Sequence, residues 1–278
     1  MTNSWRDRPI GVVGLGLIGG SLALDLRAQG LRVQALVHRE ATAQRARQRG
    51  LADQVSTDPA VLADCALVVL ALPLDRLLEP SSELLGALPA GAVITDVGSV
   101  KGPVLDRWGP WPRFVASHPM AGTAQAGVEA GLAGLFAGRP WVATPTDATD
   151  PEALAVVRGL AEAVDARWIE CLAADHDQAV ALISHLPVLL GAALIEAAGQ
   201  APLARALASS GFADTSRVGA GNPELGSLMA RYNREALLVA LARYRTSLAA
   251  LEQLVQGGDW PGLEQRLVQA QAHRPEFL

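Results

Sequence analysis

The stretch Ile10-Gly-Val-Val-Gly14-Leu-Gly16-Leu-Ile-Gly19-Gly-Ser21 decides how the chain begins to fold. A short apolar run precedes a GxGxxG pattern, and an Ala/Leu-rich helical segment follows it. Glycines in this pattern permit a tight turn, a close approach of the backbone to a pyrophosphate, and close packing of helix on strand. The order strand, glycine turn, helix predicts a Rossmann-type dinucleotide site at a helix N-terminus, with a purely structural glycine turn as the alternative. The cofactor residues predicted from it are Gly14, Gly16, Leu17, Ile18 and Gly19.

Short apolar runs recur from Ile10 to about Glu170, with helical stretches between them. This rhythm is typical of a parallel sheet covered by helices. The predicted strands are 10–13, 33–37, 66–72, 93–97, 114–116, 141–144 and 167–170. Because ligands bind beyond the carboxyl ends of parallel strands, we also assign Leu72 and Pro73, where the third run ends, to the cofactor site.

The second half of the chain has a different texture. Long Ala/Leu-rich segments at helical period replace the strands, with breaks near 199–202, 219–223 and 257–261. We predict an α/β protein with an N-terminal Rossmann-type parallel sheet, residues 1–170, and an all-helical C-terminal domain, residues 171–278. A helix over about 224–256 would be about 50 Å long. A helix of that length often packs against a partner subunit, so we predict a homodimer.

The overall charge and apolar content exclude several classes of partner. The net charge of −5 and the scattered arginines give no basic surface for nucleic acid. We find no uncharged apolar run of membrane-spanning length and expect no membrane segment. The charged first residues leave no room for an export signal, which favours the cytoplasm. Cys65 and Cys171 lack the spacing of a zinc site or a disulfide framework and are predicted to be core thiols, and no metal site is expected.

The end of the second predicted strand indicates which dinucleotide binds. An Asp or Glu about 20 residues after the glycines usually accepts hydrogen bonds from the adenosine ribose of NAD. Here the chain reads Val37-His38-Arg39. Arg39 can pair with a 2′-phosphate and His38 can add a donor, which favours NADP. The alternative is that Arg39 lies in solvent and Glu40 binds the ribose of NAD.

Three further motifs accompany the glycine loop. They are Thr95-Asp-Val-Gly-Ser99-Val-Lys101, Ser117-His118-Pro-Met-Ala-Gly-Thr123 and Ser184-His185-Leu-Pro187. In the same order and spacing over nearly the whole chain, these motifs resemble the prephenate/arogenate dehydrogenases of tyrosine biosynthesis. The resemblance implies oxidative decarboxylation of a cyclohexadienol: hydride leaves C4 for the nicotinamide, carbon dioxide leaves C1, and the ring becomes aromatic.

The resemblance also implies roles for two strand-end residues. His118 matches the catalytic histidine of the family, and an imidazole that is largely neutral at pH 7 can accept the proton of the 4-hydroxyl. Ser99 matches a serine that bridges substrate, histidine and nicotinamide. The alternatives are a histidine hydrogen-bonded at a strand end and a serine that stabilises a turn. Lys101, the only lysine, is assigned to the scaffold or the cofactor edge.

Substrate-binding residues are expected in the helical half. Arg217, in Phe212-Ala-Asp-Thr-Ser-Arg217, matches the family's substrate-binding arginine, and its planar fork suits a carboxylate. The alternative is a surface arginine. Ser184 and His185 are predicted to line the pocket. His176 lies nine residues before His185, nearly opposite it on a straight helix, so its role is left open between the pocket and the helix start.

The resemblance is nearest to short, NADP-linked arogenate dehydrogenases, which makes arogenate the first candidate substrate and prephenate the second. Val188 stands where several relatives carry a second histidine, so substrate choice does not transfer directly. An enzyme of the β-hydroxyacid dehydrogenase class would need a lysine in the second domain, and Lys101 is the only one. An NADP-sensing regulatory protein is the alternative outside enzymes.

Overall fold

We describe a computed structural model of the chain over residues 5–123 and 125–277. Its first half is a six-stranded parallel sheet in the order β3-β2-β1-β4-β5-β6, as predicted for a Rossmann-type fold. The strands are β1 Ile10–Val13, β2 Val33–Leu36, β3 Gln54–Ser56, β4 Leu67–Leu70, β5 Val93–Asp96 and β6 Phe114–Val115. The strand order reverses between β1 and β4, which both pair with their neighbours in parallel register, for example Ile10 with Leu67.

A second, three-stranded sheet follows β6. It consists of β7 Ser117–Pro119, β8 Pro140–Ala143 and β9 Arg167–Glu170, in that order. The pairing of β7 with β8 is antiparallel and places His118 opposite Val142. The expectation of one parallel sheet through 141–144 and 167–170 was therefore wrong, because the chain leaves the first sheet at Ala116 and starts a new one. The three-residue strands β3 and β7 were not predicted.

Helices cover the first sheet and make up the second half of the chain. Around the sheets lie α1 Leu17–Ala28, α2 Glu40–Gln48, α3 Leu74–Leu78, α4 Ser82–Ala87, α5 Gly102–Trp108 and α6 Pro151–Ala163. After β9 lie α7 Ala173–Val180, α8 Leu186–Gly199, α9 Pro202–Leu207, α10 Ser210–Ser216, α11 Pro223–Tyr232, α12 Arg234–Gly257 and α13 Trp260–His273. A π-helical turn, Ala181–His185, joins α7 to α8, and a 3-10 turn, Arg217–Ala220, follows α10.

The predicted helix over about 224–256 is two helices. Asn233 ends α11 with φ −118° and precedes α12, whose 24 residues span about 36 Å. The helix breaks at Asn233 because the side chain of this residue is buried and hydrogen-bonds to residues outside both helices. The prediction of one 50 Å helix was therefore wrong.

The two halves differ in how well they bury their apolar residues. Both faces of the first sheet carry large buried clusters. Within the described residues, the cluster in the helical half has four buried members, Ala181, Leu186, Leu237 and Ala240. By length and composition the continuous helix over 173–199 could cross a membrane, with 28% of its most apolar window buried. The expectation that no such segment exists was therefore not met, although this helix also carries three buried polar residues, His176, Asp177 and His185.

Candidate active site

The turn between β1 and α1 has the geometry that its glycines predict. Gly14 has φ +95°, and a Cβ there would lie 2.4 Å from the carbonyl oxygen of Ala71. A Cβ on Gly19 would lie 2.0 Å from the carbonyl oxygen of Gly14, whereas a Cβ on Gly16 would meet nothing within 4 Å. Close contacts within the protein therefore require glycine at positions 14 and 19, but not at position 16. The open side of Gly16, at the N-cap of α1, is where a pyrophosphate can approach the free N–H groups of the first helical turn.

The residues next to this turn lie at the carboxyl ends of β2 and β4. His38 and Arg39 are exposed, and in the part of the chain that the structure describes neither side chain donates a hydrogen bond to a protein acceptor. Glu40 accepts a 2.6 Å hydrogen bond from Arg47 on the same helix. Leu72 packs beside Gly14, and Pro73 is exposed at the start of α3. The cation at position 39 is thus available to a ligand, while the carboxylate of Glu40 is already paired.

Asp96, fully buried at the end of β5, organises the next two strand ends. Its Oδ2 accepts hydrogen bonds from the backbone N–H of Gly98, at 2.7 Å, and from Nζ of Lys101. Its Oδ1 accepts one from the backbone N–H of Ser117 at 3.0 Å. The carboxylate therefore ties the loop after β5 to the first residue of β7.

Lys101 is a structural cation beneath this loop. Its side chain is completely buried, and its Nζ donates to Asp96 and to the carbonyl oxygen of Ser117, at 2.7 Å for the latter. Burial lowers the pKa of Lys101, while Asp96 and Asp177 oppose that shift. Every contact of its ammonium group is internal, in keeping with the predicted scaffold role rather than a catalytic one.

Three side chains form a chain of hydrogen bonds that starts at His118 on β7. The His118 Nδ1 lies 2.9 Å from the His176 Nε2, and the His176 Nδ1 lies 2.8 Å from the Asp177 Oδ1. The Asp177 carboxylate also accepts hydrogen bonds from the backbone N–H groups of Lys101, at 2.7 Å, and Gly102, at 2.8 Å. Asp177 on α7 therefore holds the start of α5 and, through His176, the orientation of the His118 ring.

The electrostatics of this chain favour a neutral His118. Its pKa lies well below the ordinary value of 6.5, because burial disfavours the imidazolium and because a positive charge on Lys101, or one placed on His176 or His185, disfavours it further. Burial raises the pKa of Asp177, but the hydrogen bonds from His176 and the two backbone N–H groups outweigh it and lower the pKa overall. A carboxylate thus stands at one end of the chain and a neutral imidazole at the other.

His185 lies at the end of the π-helical turn and is buried. The wider turn changes the angular spacing along the helix, so that His176 and His185 both face inward, which a straight α-helix would not allow. The His185 Nδ1 lies 3.2 Å from the Asn233 Nδ2, which also donates to the carbonyl oxygen of Asp177 at 2.8 Å. Burial lowers the pKa of His185 to about 4. His176, whose role the sequence left open, therefore joins His118 and His185 in one group of side chains, the histidine cluster.

The predicted substrate-site residues differ in burial and in hydrogen bonding. The Ser99 Oγ and the His185 Nε2 are buried atoms without a hydrogen-bond partner in the described ranges 5–123 and 125–277. Such atoms cost free energy unless a ligand satisfies them, which marks both as candidates for ligand contact. Ser184 is half-buried. Arg217 is exposed on its 3-10 turn, and in the described ranges no hydrogen bond or ion pair joins it to the histidine cluster.

Sequence reasoning missed several residues that build the site. Asp177 was visible only as part of Asp175-His176-Asp177, and the buried polar residues Asp96 and Ser117 were visible only within their strand-end motifs. Asn233 carried a usable signal, since asparagine is a poor residue for the middle of a helix and a good one at its ends. Each of them also bonds to a partner 21 to 76 residues away in the chain, and no local pattern could reveal those contacts.

A parallel sheet with a glycine turn at its switch point, followed by a strand that carries a neutral histidine, is the architecture of a nucleotide-dependent dehydrogenase of Rossmann type. Two family models match the chain: the nucleotide-binding domain of prephenate dehydrogenase over residues 22–170, and the prephenate dehydrogenase dimerization domain over residues 172–269. The chain therefore belongs to the prephenate dehydrogenase family, and it is a dehydrogenase of tyrosine biosynthesis. The family resemblance that the motifs indicated is confirmed.

Individual relatives agree with this assignment. The cyclohexadienyl dehydrogenase of Zymomonas mobilis is 33% identical over 265 residues, which cover 90% of each protein. The arogenate dehydrogenase structure from Synechocystis is 43% identical, with a TM-score of 0.81 and coverage of 97% of this chain and 100% of that one. The prephenate dehydrogenase of Aquifex aeolicus, in complex with hydroxyphenyl propionate and NAD+, is 27% identical with a TM-score of 0.88, covering 98% of both chains.

Proposed function

We propose that this enzyme oxidatively decarboxylates arogenate to tyrosine with NADP as the hydride acceptor, and that His118 is the general base. The observation that carries the proposal is the chain of hydrogen bonds from Asp177 through His176 to His118, which ends in a neutral imidazole on β7. Prephenate is the second candidate substrate, since the relatives named above include enzymes described for either compound.

The chain's own residues divide the chemistry as follows. NADP, when bound, supplies the acceptor for the C4 hydride. His118 accepts the proton of the 4-hydroxyl as that hydride leaves, carbon dioxide departs from C1, and aromatisation of the ring drives the step. Ser99 positions the hydroxyl with its buried Oγ. His185 and Ser184 line the pocket, and Arg217 binds a substrate carboxylate.

The nucleotide fits the turn between β1 and α1. Gly14 and Gly19 shape the turn, Gly16 leaves its open side to the pyrophosphate, and Leu17 and Ile18 supply N–H groups at the helix start. Leu72 and Pro73 flank the nucleotide from the end of β4. This arrangement supports cofactor binding by residues 1–170, and we assign substrate binding and dimerisation to residues 171–278.

We predict a preference for NADP over NAD, because Arg39 and His38 lie exposed at the end of β2 and Glu40 is paired with Arg47. A charge-assisted pair with the 2′-phosphate is worth about 1.5–3 kcal/mol, or roughly tenfold to hundredfold in kcat/KM. Steady-state kinetics with both nucleotides measures it. Arg39→Gln should remove most of the preference, whereas Arg45→Gln, on the same helix, should leave it unchanged. A wild-type preference for NAD would contradict the assignment.

We expect Arg217→Ala to raise the KM for the cyclohexadienol by about tenfold to hundredfold, the value of a lost charge-assisted hydrogen bond. The kcat should change far less, because the arginine holds a carboxylate that does not react. Arg231→Ala, an exposed arginine that lies over the ring of Tyr232 on α11, is the matched control. An unchanged KM in Arg217→Ala would mean that this arginine is a surface residue.

A homodimer is proposed from the surface of the helical half. Its own buried cluster is small, while large apolar side chains lie exposed, among them Leu203, Leu207, Val239, Trp260 and Phe277. An apolar cavity of about 530 Å³ between α8, α9 and α10 lies on the same half, away from the histidine cluster. Exposed apolar surface of this extent marks an interaction site. We place the enzyme in the cytoplasm, as a biosynthetic enzyme of small metabolites.

A further inference from the structure

We propose that Asp177 and Asn233 hold His118 and His185 in opposite tautomers, so that the His118 Nε2 accepts a proton while the His185 Nε2 donates a hydrogen bond to a substrate oxygen. The inference rests on the proposed function for its chemistry. Its geometry stands on four hydrogen bonds that link Asp177, His176 and His118 on one side and Asp177, Asn233 and His185 on the other. Asp177 and Asn233 are positioning residues in this scheme, because each acts through a histidine.

The Asp177 carboxylate fixes the tautomer of His118 through His176. A carboxylate only accepts hydrogen bonds, so the His176 Nδ1, 2.8 Å from the Asp177 Oδ1, must carry a hydrogen. A neutral His176 then has a bare Nε2, which accepts from the His118 Nδ1 at 2.9 Å. A neutral His118 with its hydrogen on Nδ1 has a bare Nε2. The carboxylate therefore determines, through one imidazole, which nitrogen of the next is the base.

The backbone carbonyl of Asp177 fixes the tautomer of His185 through Asn233. A carbonyl cannot donate, so the Asn233 atom that lies 2.8 Å from the Asp177 oxygen must be the amide nitrogen. That nitrogen lies 3.2 Å from the His185 Nδ1 and directs its second hydrogen there. The His185 Nδ1 is therefore an acceptor, and a neutral His185 carries its hydrogen on Nε2, the buried atom without a partner in the described chain.

Lys101 and Asp177 are charged side chains that act on the His118–His176 pair. The charge of Lys101 is paired with Asp96, and Asp177 is the only carboxylate that hydrogen-bonds to His176 within 5–123 and 125–277. A doubly protonated His176 would donate from both nitrogens and would force the His118 Nδ1 to accept. The His118 Nε2 would then carry the hydrogen and could not act as a base. The neutral and the doubly protonated forms of His176 therefore predict opposite protonation states for the His118 Nε2.

The direct test is nitrogen NMR of the whole protein labelled with ¹⁵N-histidine, near neutral pH. The sequence has five histidines, so single substitutions can assign each ring. We expect His118 and His176 to be protonated on Nδ1 and His185 on Nε2. Protonation of His118 on Nε2, of His185 on Nδ1, or of both nitrogens of His176 would overturn the proposal. This measurement needs no turnover, so a failure of the proposed reaction would not be mistaken for a failure of the tautomer assignment.

Kinetics give a second test through Asp177→Asn, with Asp175→Asn, an exposed carboxylate on the same helix, as the matched control. Losing the charge behind His176 should lower kcat by about tenfold to hundredfold. It should also move the acid limb of kcat/KM to lower pH, because the imidazolium of His118 loses its stabilising anion. A lower rate with an unmoved acid limb would show a purely structural role and contradict the proposal. The control should match the wild type in both respects.

Discussion

Replacing His118 with asparagine should lower kcat by about 100- to 10,000-fold, the range expected when a positioned general base is removed. The imidazole is the neutral end of the chain of hydrogen bonds from Asp177, and asparagine keeps a polar side chain without a basic nitrogen. Steady-state assays of NADPH formation measure the loss. The KM for the nucleotide should change little, since the glycine turn is untouched.

The control for this variant is His273→Asn, which alters an exposed histidine at the end of α13. It should retain wild-type kcat. A loss of less than tenfold in His118→Asn would refute the role of base. In the wild type, kcat/KM should fall as the pH drops through the pKa of His118. Because that pKa is lowered, the plateau should extend below about pH 6.5.

The second large effect concerns stability. Lys101→Met should lower the free energy of unfolding by about 3–5 kcal/mol, the usual cost of breaking a buried ion pair by removing one partner. Methionine fills much of the space of the lysine chain but leaves the Asp96 carboxylate charged and completely buried. Urea unfolding at a fixed protein concentration measures the change, since a dimer's stability depends on concentration.

Arg76→Met is the matched control for Lys101→Met, because it removes an exposed cation that lies 3.8 Å from Asp75. Its effect should stay within about 0.5 kcal/mol, as for most surface substitutions. A loss below about 1 kcal/mol in Lys101→Met would mean that the Asp96 carboxylate is satisfied without the lysine, by its backbone donors alone.

The sequence was sufficient for the parts of the fold that local patterns encode. The glycine turn, the parallel order of the first sheet and the helical second half follow from periodicity and turn chemistry, and the structure confirms them. The three-residue strands β3 and β7 are too short to show a period. The antiparallel pairing of β7 with β8 depends on a sheet change at Ala116 that no turn residue announces.

The site was only partly predictable, because its geometry depends on contacts between distant parts of the chain. His118 and Ser99 follow predicted strands, where ligands usually bind, and the motif spacing was enough to propose them. His176 could not be assigned, because a straight helix would turn it away from His185, and the π-helical turn that brings both inward has no sequence signature here. Asp177 acquires its role only when α7 docks on the start of α5.

The network also suggests why the two halves of the chain work as one unit. The Asp177 carboxylate accepts hydrogen bonds from the backbone of the sheet-bearing half and from His176 in the helical half. His176 is in turn hydrogen-bonded to His118, so this contact between the halves also reaches the His118 ring.

The central claim is that the enzyme oxidises a cyclohexadienol with NADP. The most direct measurement is NADPH formation by the purified protein with arogenate, with prephenate and with neither, together with detection of tyrosine as the product. We predict formation of NADPH and tyrosine with arogenate, a lower kcat/KM with prephenate, and no reaction without substrate. Silence with both substrates, at concentrations where NADP binding is demonstrated, would contradict the account and favour an NADP-sensing regulatory protein.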